Sequence, residues 1–136
     1  MGSIFRTADA LGIKKIYLCG ISGTPKQVGL TKVSLGAEKS VKWEYKKSAL
    51  SVVKQLKKRG VKIVALELTK KSVDLKDFKP QFPLALILGN EVDGIDKNLL
   101  KRADAVIHIP MRGQKESLNV SVAFGIAGYV LLVKSL

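Results

Sequence analysis

Short apolar runs alternate along this chain with segments of helical period. Gly2 to Leu11 places Ile4, Phe5, Ala8 and Leu11 on one face and meets Gly12, which predicts a helix with a glycine stop. Lys15 to Gly20 reads as a buried strand, and Ile21 to Leu30, with Gly23, Pro25 and Gly29 and no period, as a loop. A short helix over Thr31 to Lys39 and a strand over Val41 to Tyr45 follow. Ser48 to Arg59 carries Leu50, Val53 and Leu56 at helical spacing and stops at Gly60. Val61 to Leu68 is β-branched and apolar, hence a strand; Lys70 to Gln81 is a polar connector punctuated by Pro80 and Pro83.

The last third is the most informative. Leu84 to Leu88 is a strand-like run that ends in Gly89, and Ala105 to Ile109 is another that ends at Pro110. Asp96 to Arg102 reads as a short helix with Asp96 as N-cap, and Ser117 to Leu136 as a long closing helix with Ser117 as N-cap. Strands that alternate with helices and are apolar throughout are covered on both faces, so the expected fold is α/β with a mostly parallel sheet flanked by helices. Two strands ending in Gly, Pro and small polar residues offer main-chain N–H and C=O groups without a side chain to block approach.

At 136 residues and 46% hydrophobic content the chain is expected to form one domain, residues 1–136. Lys and Arg number 24 against 11 Asp and Glu, a net charge of +13 that favours a polyanionic partner such as RNA. A lysine-rich surface that only maintains solubility is the plain alternative. The single cysteine, Cys19, leaves no internal disulfide and no cysteine-based zinc site. Val120 to Val133 is shorter than the roughly 20 residues of a membrane span. With no signal-peptide pattern at Met1-Gly-Ser-Ile, cytoplasmic residence is expected. His108 and the pair Trp43 and Tyr45 suit packing first and chemistry or base stacking second.

Leu88-Gly-Asn-Glu91, and Ile109-Pro-Met-Arg-Gly113 followed by Ser117-Leu-Asn-Val120, resemble motifs 2 and 3 of the SPOUT RNA methyltransferases, TrmH-like (SpoU) branch; Gly2-Ser-Ile-Phe-Arg-Thr-Ala8 resembles most of motif 1. The resemblance covers nearly the whole chain in order and spacing. It implies a carboxyl-terminal trefoil knot, against the usual rule of unknotted connections. It implies S-adenosyl-L-methionine as cofactor, bound by Leu88, Gly89, Asn90, Gly94, Ile109, Met111 and Leu118, largely through main chain. It implies catalytic roles for Arg6, Glu91, Ser117 and Asn119, with no metal, in methyl transfer to RNA (tRNA or rRNA), the branch's usual target being a ribose 2′-hydroxyl. For Ser117 and Asn119, helix capping is the competing reading.

The branch also implies a homodimer through the carboxyl-terminal helix, which is too apolar all round for a solvent-facing surface. One position departs from the pattern. Met1 stands at the aliphatic position of motif 1 and the preceding Asn is absent, so the chain is expected to be a domain cut at its amino end and lacking the branch's separate RNA-binding domain. A non-catalytic RNA-binding relic of the same fold is the rival that this departure raises. A basic nucleotide-binding protein of another family is disfavoured by the absence of a G-x-x-x-x-G-K-[ST] loop.

Overall fold

A computed structural model of the chain describes residues 2–19, 41–89, 94–113 and 118–136. The expected loop over Ile21 to Leu30 and helix over Thr31 to Lys39 lie outside the described residues. The chain divides into two compact units, Met1–Ala49 and Leu50–Leu136.

The first unit holds helix α1 (Gly2–Leu11) and two strands, β1 (Lys15–Cys19) and β2 (Lys42–Lys46), paired in parallel from Lys15↔Lys42 to Cys19↔Lys46. The apolar face of α1 buries Phe5 and Ala8 completely. Gly12 terminates the helix at φ +71°, where its N–H reaches Asp9 O (3.1 Å) and the Ile13 N–H reaches Ala8 O (2.9 Å). This pair of bonds satisfies carbonyls that the last turn leaves open, and the left-handed backbone needs a residue without Cβ. The expected burial of β1 is only partly met: Leu18 alone is buried, Lys15 is exposed, and Ile16, Tyr17 and Cys19 are half-buried.

The second unit begins one residue into helix α2 (Ala49–Lys58), which buries Val52 and Val53 and stops at Gly60 (φ +83°) by the same bond pair, Gly60 N–H to Lys57 O and Val61 N–H to Leu56 O, both 3.0 Å. Its sheet is wholly parallel. The strands are β3 (Lys62–Leu66), β4 (Val73–Asp74), β5 (Leu84–Leu88) and β6 (Ala105–His108), in the order β4-β6-β3-β5. Ile63, Val64 and Ala65 are all buried, so β3 is covered on both faces, as its continuous apolar run requires. Helix α3 (Lys97–Arg102) leads into β6 and carries the expected N-cap, Asp96 Oδ1 accepting the Asn98 N–H at 2.7 Å.

Two expectations need correction. The polar connector 70–81 contains β4 and a 3-10 turn (Leu75–Asp77) with Leu75 buried. The closing helix α4 spans Val120–Ser135 and is capped by Asn119, whose Oδ1 accepts the Ser121 N–H at 2.9 Å, so the expected cap at Ser117 is wrong. Both residues are good cap types. A cap must sit one residue before the first helical position, and that position is Val120.

Helix α4 packs Ala127 and Leu131 against Val64, Leu75 and Ile107 to form the core of this unit. At its far end the Lys134 ammonium donates to the carbonyls of Leu75 (2.8 Å), Lys76 (2.8 Å) and Phe78 (2.6 Å), using all three N–H groups to tie the helix to the 3-10 turn. The other side of α4 leaves Val122, Ile126, Tyr129 and Val133 exposed. Among the described residues no helix is long and apolar enough to cross a membrane.

Candidate functional site

The parallel registers bring the carboxyl ends of three strands to one edge. Leu66 of β3 pairs with Leu88 of β5 on one side and with Ile107 of β6 on the other. One residue further on, Gly89, Glu67 and the segment His108–Ile109 therefore stand side by side. Crevices outside such strand ends are where open α/β sheets bind ligands. Leu66, Leu88 and Ile109 are half-buried there, as is Met111 beyond Pro110. These are apolar surfaces that the chain itself leaves partly uncovered, in reach of main-chain groups.

Gly89 and Gly94 close the turn after β5. A Cβ on Gly89 would come within 2.5 Å of the Gly94 carbonyl carbon and 2.7 Å of the Ile95 nitrogen. Gly94 itself holds φ +71°, and a Cβ there would strike the Glu67 carboxylate. Both glycines are thus needed by the backbone of the turn. Glu67 completes it: its Oε1 accepts the Ile95 N–H at 2.9 Å, and its own N–H continues the ladder to Ile107 O at 2.9 Å. Glu67 escaped sequence reasoning because a single polar residue after an apolar run resembles any strand end.

On the other flank, Ser72 Oγ lies 2.8 Å from His108 Nδ1. Across the β4–β6 ladder His108 pairs with Asp74. The Asp74 carboxyl is held below its ordinary pKa, chiefly by the hydrogen bond from the Lys76 N–H. His108 thus belongs to a structural cluster that braces the 67–72 loop against β6.

The remaining expected site residues are distributed as follows. Arg6 is exposed on α1 of the first unit. Leu118 is half-buried just ahead of the α4 cap, and Asn119 commits its carbonyl to that cap, accepting from both Ser121 N–H (2.9 Å) and Ser121 Oγ (2.6 Å). Its amide NH₂ is not part of the cap. Asn90, Glu91 and Ser117 lie outside the described residues. In the first unit, a hollow of about 390 Å³ is lined by Asp9, Gly12, Ile13, Lys14, Val41 and Lys42. None of the expected site residues lines it, and its wall of lysine and turn residues has no convergent chemistry.

Comparison with known proteins agrees with the strand-end geometry. The model of the SpoU rRNA Methylase family matches residues 1–129. A tRNA (guanosine(18)-2′-O)-methyltransferase of Aquifex aeolicus is 36% identical over 129 residues, covering 93% of this chain and 60% of that protein. The crystal structure of the A. aeolicus TrmH/SpoU tRNA modifying enzyme superposes with a TM-score of 0.87 at 34% identity, covering 98% of this chain and 67% of that one. An AdoMet-bound rRNA methyltransferase from Sinorhizobium meliloti superposes with a TM-score of 0.91 at 29% identity, over 99% of this chain and 51% of that one. The chain therefore spans between about half and two thirds of these relatives' lengths. Its motifs, its parallel sheet and these matches over nearly all its residues converge: the chain belongs to the SpoU rRNA methylase family.

Proposed function

We propose that this chain is the cofactor-binding and catalytic domain of an S-adenosyl-L-methionine-dependent RNA methyltransferase that modifies a ribose 2′-hydroxyl of tRNA or rRNA. The observation that carries this reading is the alignment of the ends of β3, β5 and β6, which places Gly89 and Ile109 on one edge among half-buried apolar side chains. An adenosine has a flat apolar face and polar edges. Half-buried Leu88, Ile109 and Met111 suit the face, and main chain at the strand ends suits the edges, with fixed geometry and little entropy to lose. Support also comes from the AdoMet-bound relative and from the 2′-O-methyltransferase named above. The knotted threading of the carboxyl-terminal third belongs to the same proposal.

The cofactor, when bound, supplies a methyl group already activated on a sulfonium. The protein's task is to place the RNA oxygen in line and to accommodate the charge that develops on it. Arg6 is assigned to the RNA side: a guanidinium stays protonated, so it anchors a phosphate and stabilises a developing alkoxide rather than acting as a base. Glu91 is assigned to ordering motif 2, Ser117 to contact with the substrate, and Asn119 to motif 3 through the amide NH₂ that its cap leaves over. The excess of basic residues draws in RNA. A second copy of the chain is the proposed cover for the exposed face of α4, and a cytoplasmic location follows from the substrate.

Two measurements test this. Calorimetry is expected to show S-adenosylmethionine and S-adenosylhomocysteine binding in the micromolar range. Mass spectrometry of nucleosides from RNA incubated with protein and cofactor is expected to show one additional 2′-O-methylnucleoside, lost in Arg6→Ala. Cofactor binding with RNA methylation at background would favour the relic reading.

A further inference from the structure

We propose that Glu67 binds a vicinal diol, the 2′- and 3′-hydroxyls of the ribose of an adenosine cofactor, at the carboxyl end of β3. This deepens the reading above and rests on it. β3 is the middle strand of the three whose ends form the crevice, so Glu67 stands between Gly89 and Ile109. Its backbone is held by the ladder bond to Ile107 O at 2.9 Å, and its side chain by the bond from Ile95 N–H to Oε1 at 2.9 Å.

That single bond leaves most of the carboxylate's accepting capacity unused, since an ionised carboxylate accepts about four hydrogen bonds. Among the described residues Oε2 has no hydrogen-bond partner, and no Lys or Arg forms an ion pair with Glu67, although basic residues outnumber acidic ones 24 to 11. A half-buried carboxylate without a cation is costly unless donors reach it. Adjacent hydroxyls of a ribose are two such donors with the right spacing for one carboxylate, and an acidic residue beside the strand ends plays this part in dinucleotide-binding sheets. Gly94 keeps the flank clear, because a Cβ there would occupy the space of the carboxylate. The Ile95 bond then has a second purpose: it orients the carboxylate before the ligand arrives, which lowers the entropic cost of binding.

The test is calorimetry of the purified chain with S-adenosylhomocysteine, its 2′-deoxy and 3′-deoxy analogues, and S-adenosylmethionine. The unsubstituted protein is expected to bind each deoxy analogue about 10- to 100-fold more weakly, the range for a hydrogen bond to a charged group. Glu67→Ala is expected to bind S-adenosylhomocysteine about as weakly as that, and no longer to distinguish it from the deoxy analogues. If Glu67→Ala does not fold, Glu67→Gln, which keeps an acceptor for Ile95, is expected to show the same loss of discrimination in reduced degree. A uniform loss for all ligands in either variant would mean that Glu67 only holds the turn, and would overturn the assignment. A loss confined to S-adenosylmethionine would mean that the carboxylate serves the sulfonium, with the same consequence. If the unsubstituted protein binds neither cofactor form, the proposed function itself fails and the diol assignment with it; discrimination that survives in Glu67→Ala sinks the assignment alone.

Discussion

Ser72 Oγ and His108 Nδ1 are 2.8 Å apart, and the surroundings of the serine determine which atom carries the proton. Ser72 has one hydroxyl hydrogen, and it goes to Thr69 O at 2.8 Å, because a carbonyl only accepts. The Thr69 N–H donates to the same Oγ at 3.0 Å. Toward the imidazole Ser72 can then only accept, so Nδ1 bears the hydrogen and, in the neutral ring, Nε2 the lone pair. Nitrogen-15 chemical shifts are expected to show the Nδ1–H tautomer in the neutral ring, and a mixed population in Ser72→Ala. A pure Nε2–H form in the unsubstituted protein would contradict this assignment.

Lys134 is expected to matter more than an ordinary surface lysine. Its ammonium serves the Leu75, Lys76 and Phe78 carbonyls together, and two of these contacts are part-buried. Lys134→Met keeps the stem and removes the donors, leaving carbonyls short of partners. The expected loss is about 2 kcal/mol, less than a sum of three isolated bonds because exposed carbonyls recover water. Denaturant unfolding of the two proteins measures it. A change below about 0.5 kcal/mol, the range of unremarkable surface substitutions, would show that the contact is not held in solution.

Gly89→Ala is expected to destabilise the second unit by about 1–3 kcal/mol, the usual range for forcing atoms into an already packed site. The new Cβ would meet the Gly94 and Ile95 backbone at 2.5 and 2.7 Å, and backbone cannot swing aside as a side-chain end can. The displaced turn would also carry Ile95 away from Glu67, so cofactor affinity should fall by tenfold or more. A crystal structure of the variant with an unmoved turn and unaltered affinity would refute this.

Glu44 gives the first unit an acid-sensitive contact. Hydrogen bonds from Lys15 (2.7 Å) and Lys46 (2.8 Å) hold its carboxyl down at a pKa of about 2, against an ordinary 4.5. Between those values the unfolded chain binds a proton that the folded chain does not, so stability rises with pH through this window. Its contribution is fully present above about pH 4.5 and disappears as pH falls through 2. The pair is exposed and screened, so the effect is small. Glu44→Gln is expected to flatten the pH dependence of stability between these limits and to leave it unchanged around pH 7 apart from a constant offset.

The exposed residues Val122, Ile126, Tyr129 and Val133 lie at spacings of four, three and four on α4, which makes one continuous apolar stripe. Tyr129, at 60% exposed, is the most open of the four. If a second copy covers the stripe, light scattering will give the mass of a dimer, and Tyr129→Lys with Ile126→Glu will give a monomer. A monomeric mass for the unsubstituted chain at high micromolar concentration would end the dimer proposal.

Much of this was readable from the chain alone, for reasons that differ by element. Leu84–Leu88 agrees to the residue because a continuous apolar run lies between Pro83 and Gly89, both of which stop a strand. The stops at Gly12 and Gly60 were legible because a left-handed residue after an amphipathic helix is almost always glycine. β4 was not legible: two residues, one of them charged, become a strand only because β6 supplies the ladder. The choice of Asn119 over Ser117 as cap was equally hidden, since both side chains can do it and the position of the first helical residue decides.

The amino-acid order by itself determined where most of the helices and strands lie, that the strands pair in parallel around a fully apolar one, and which residue types stand ready at the strand ends. These are local matters of period, turn chemistry and burial. Which strand neighbours which was decided only in three dimensions. β5 and β6 follow one another in the chain, yet β3 lies between them, because a parallel crossover carries the chain over the sheet and pairing partners are remote in sequence. That placement sets Glu67 between two motif ends and brings Ser72 onto His108, and no period or composition contains either fact.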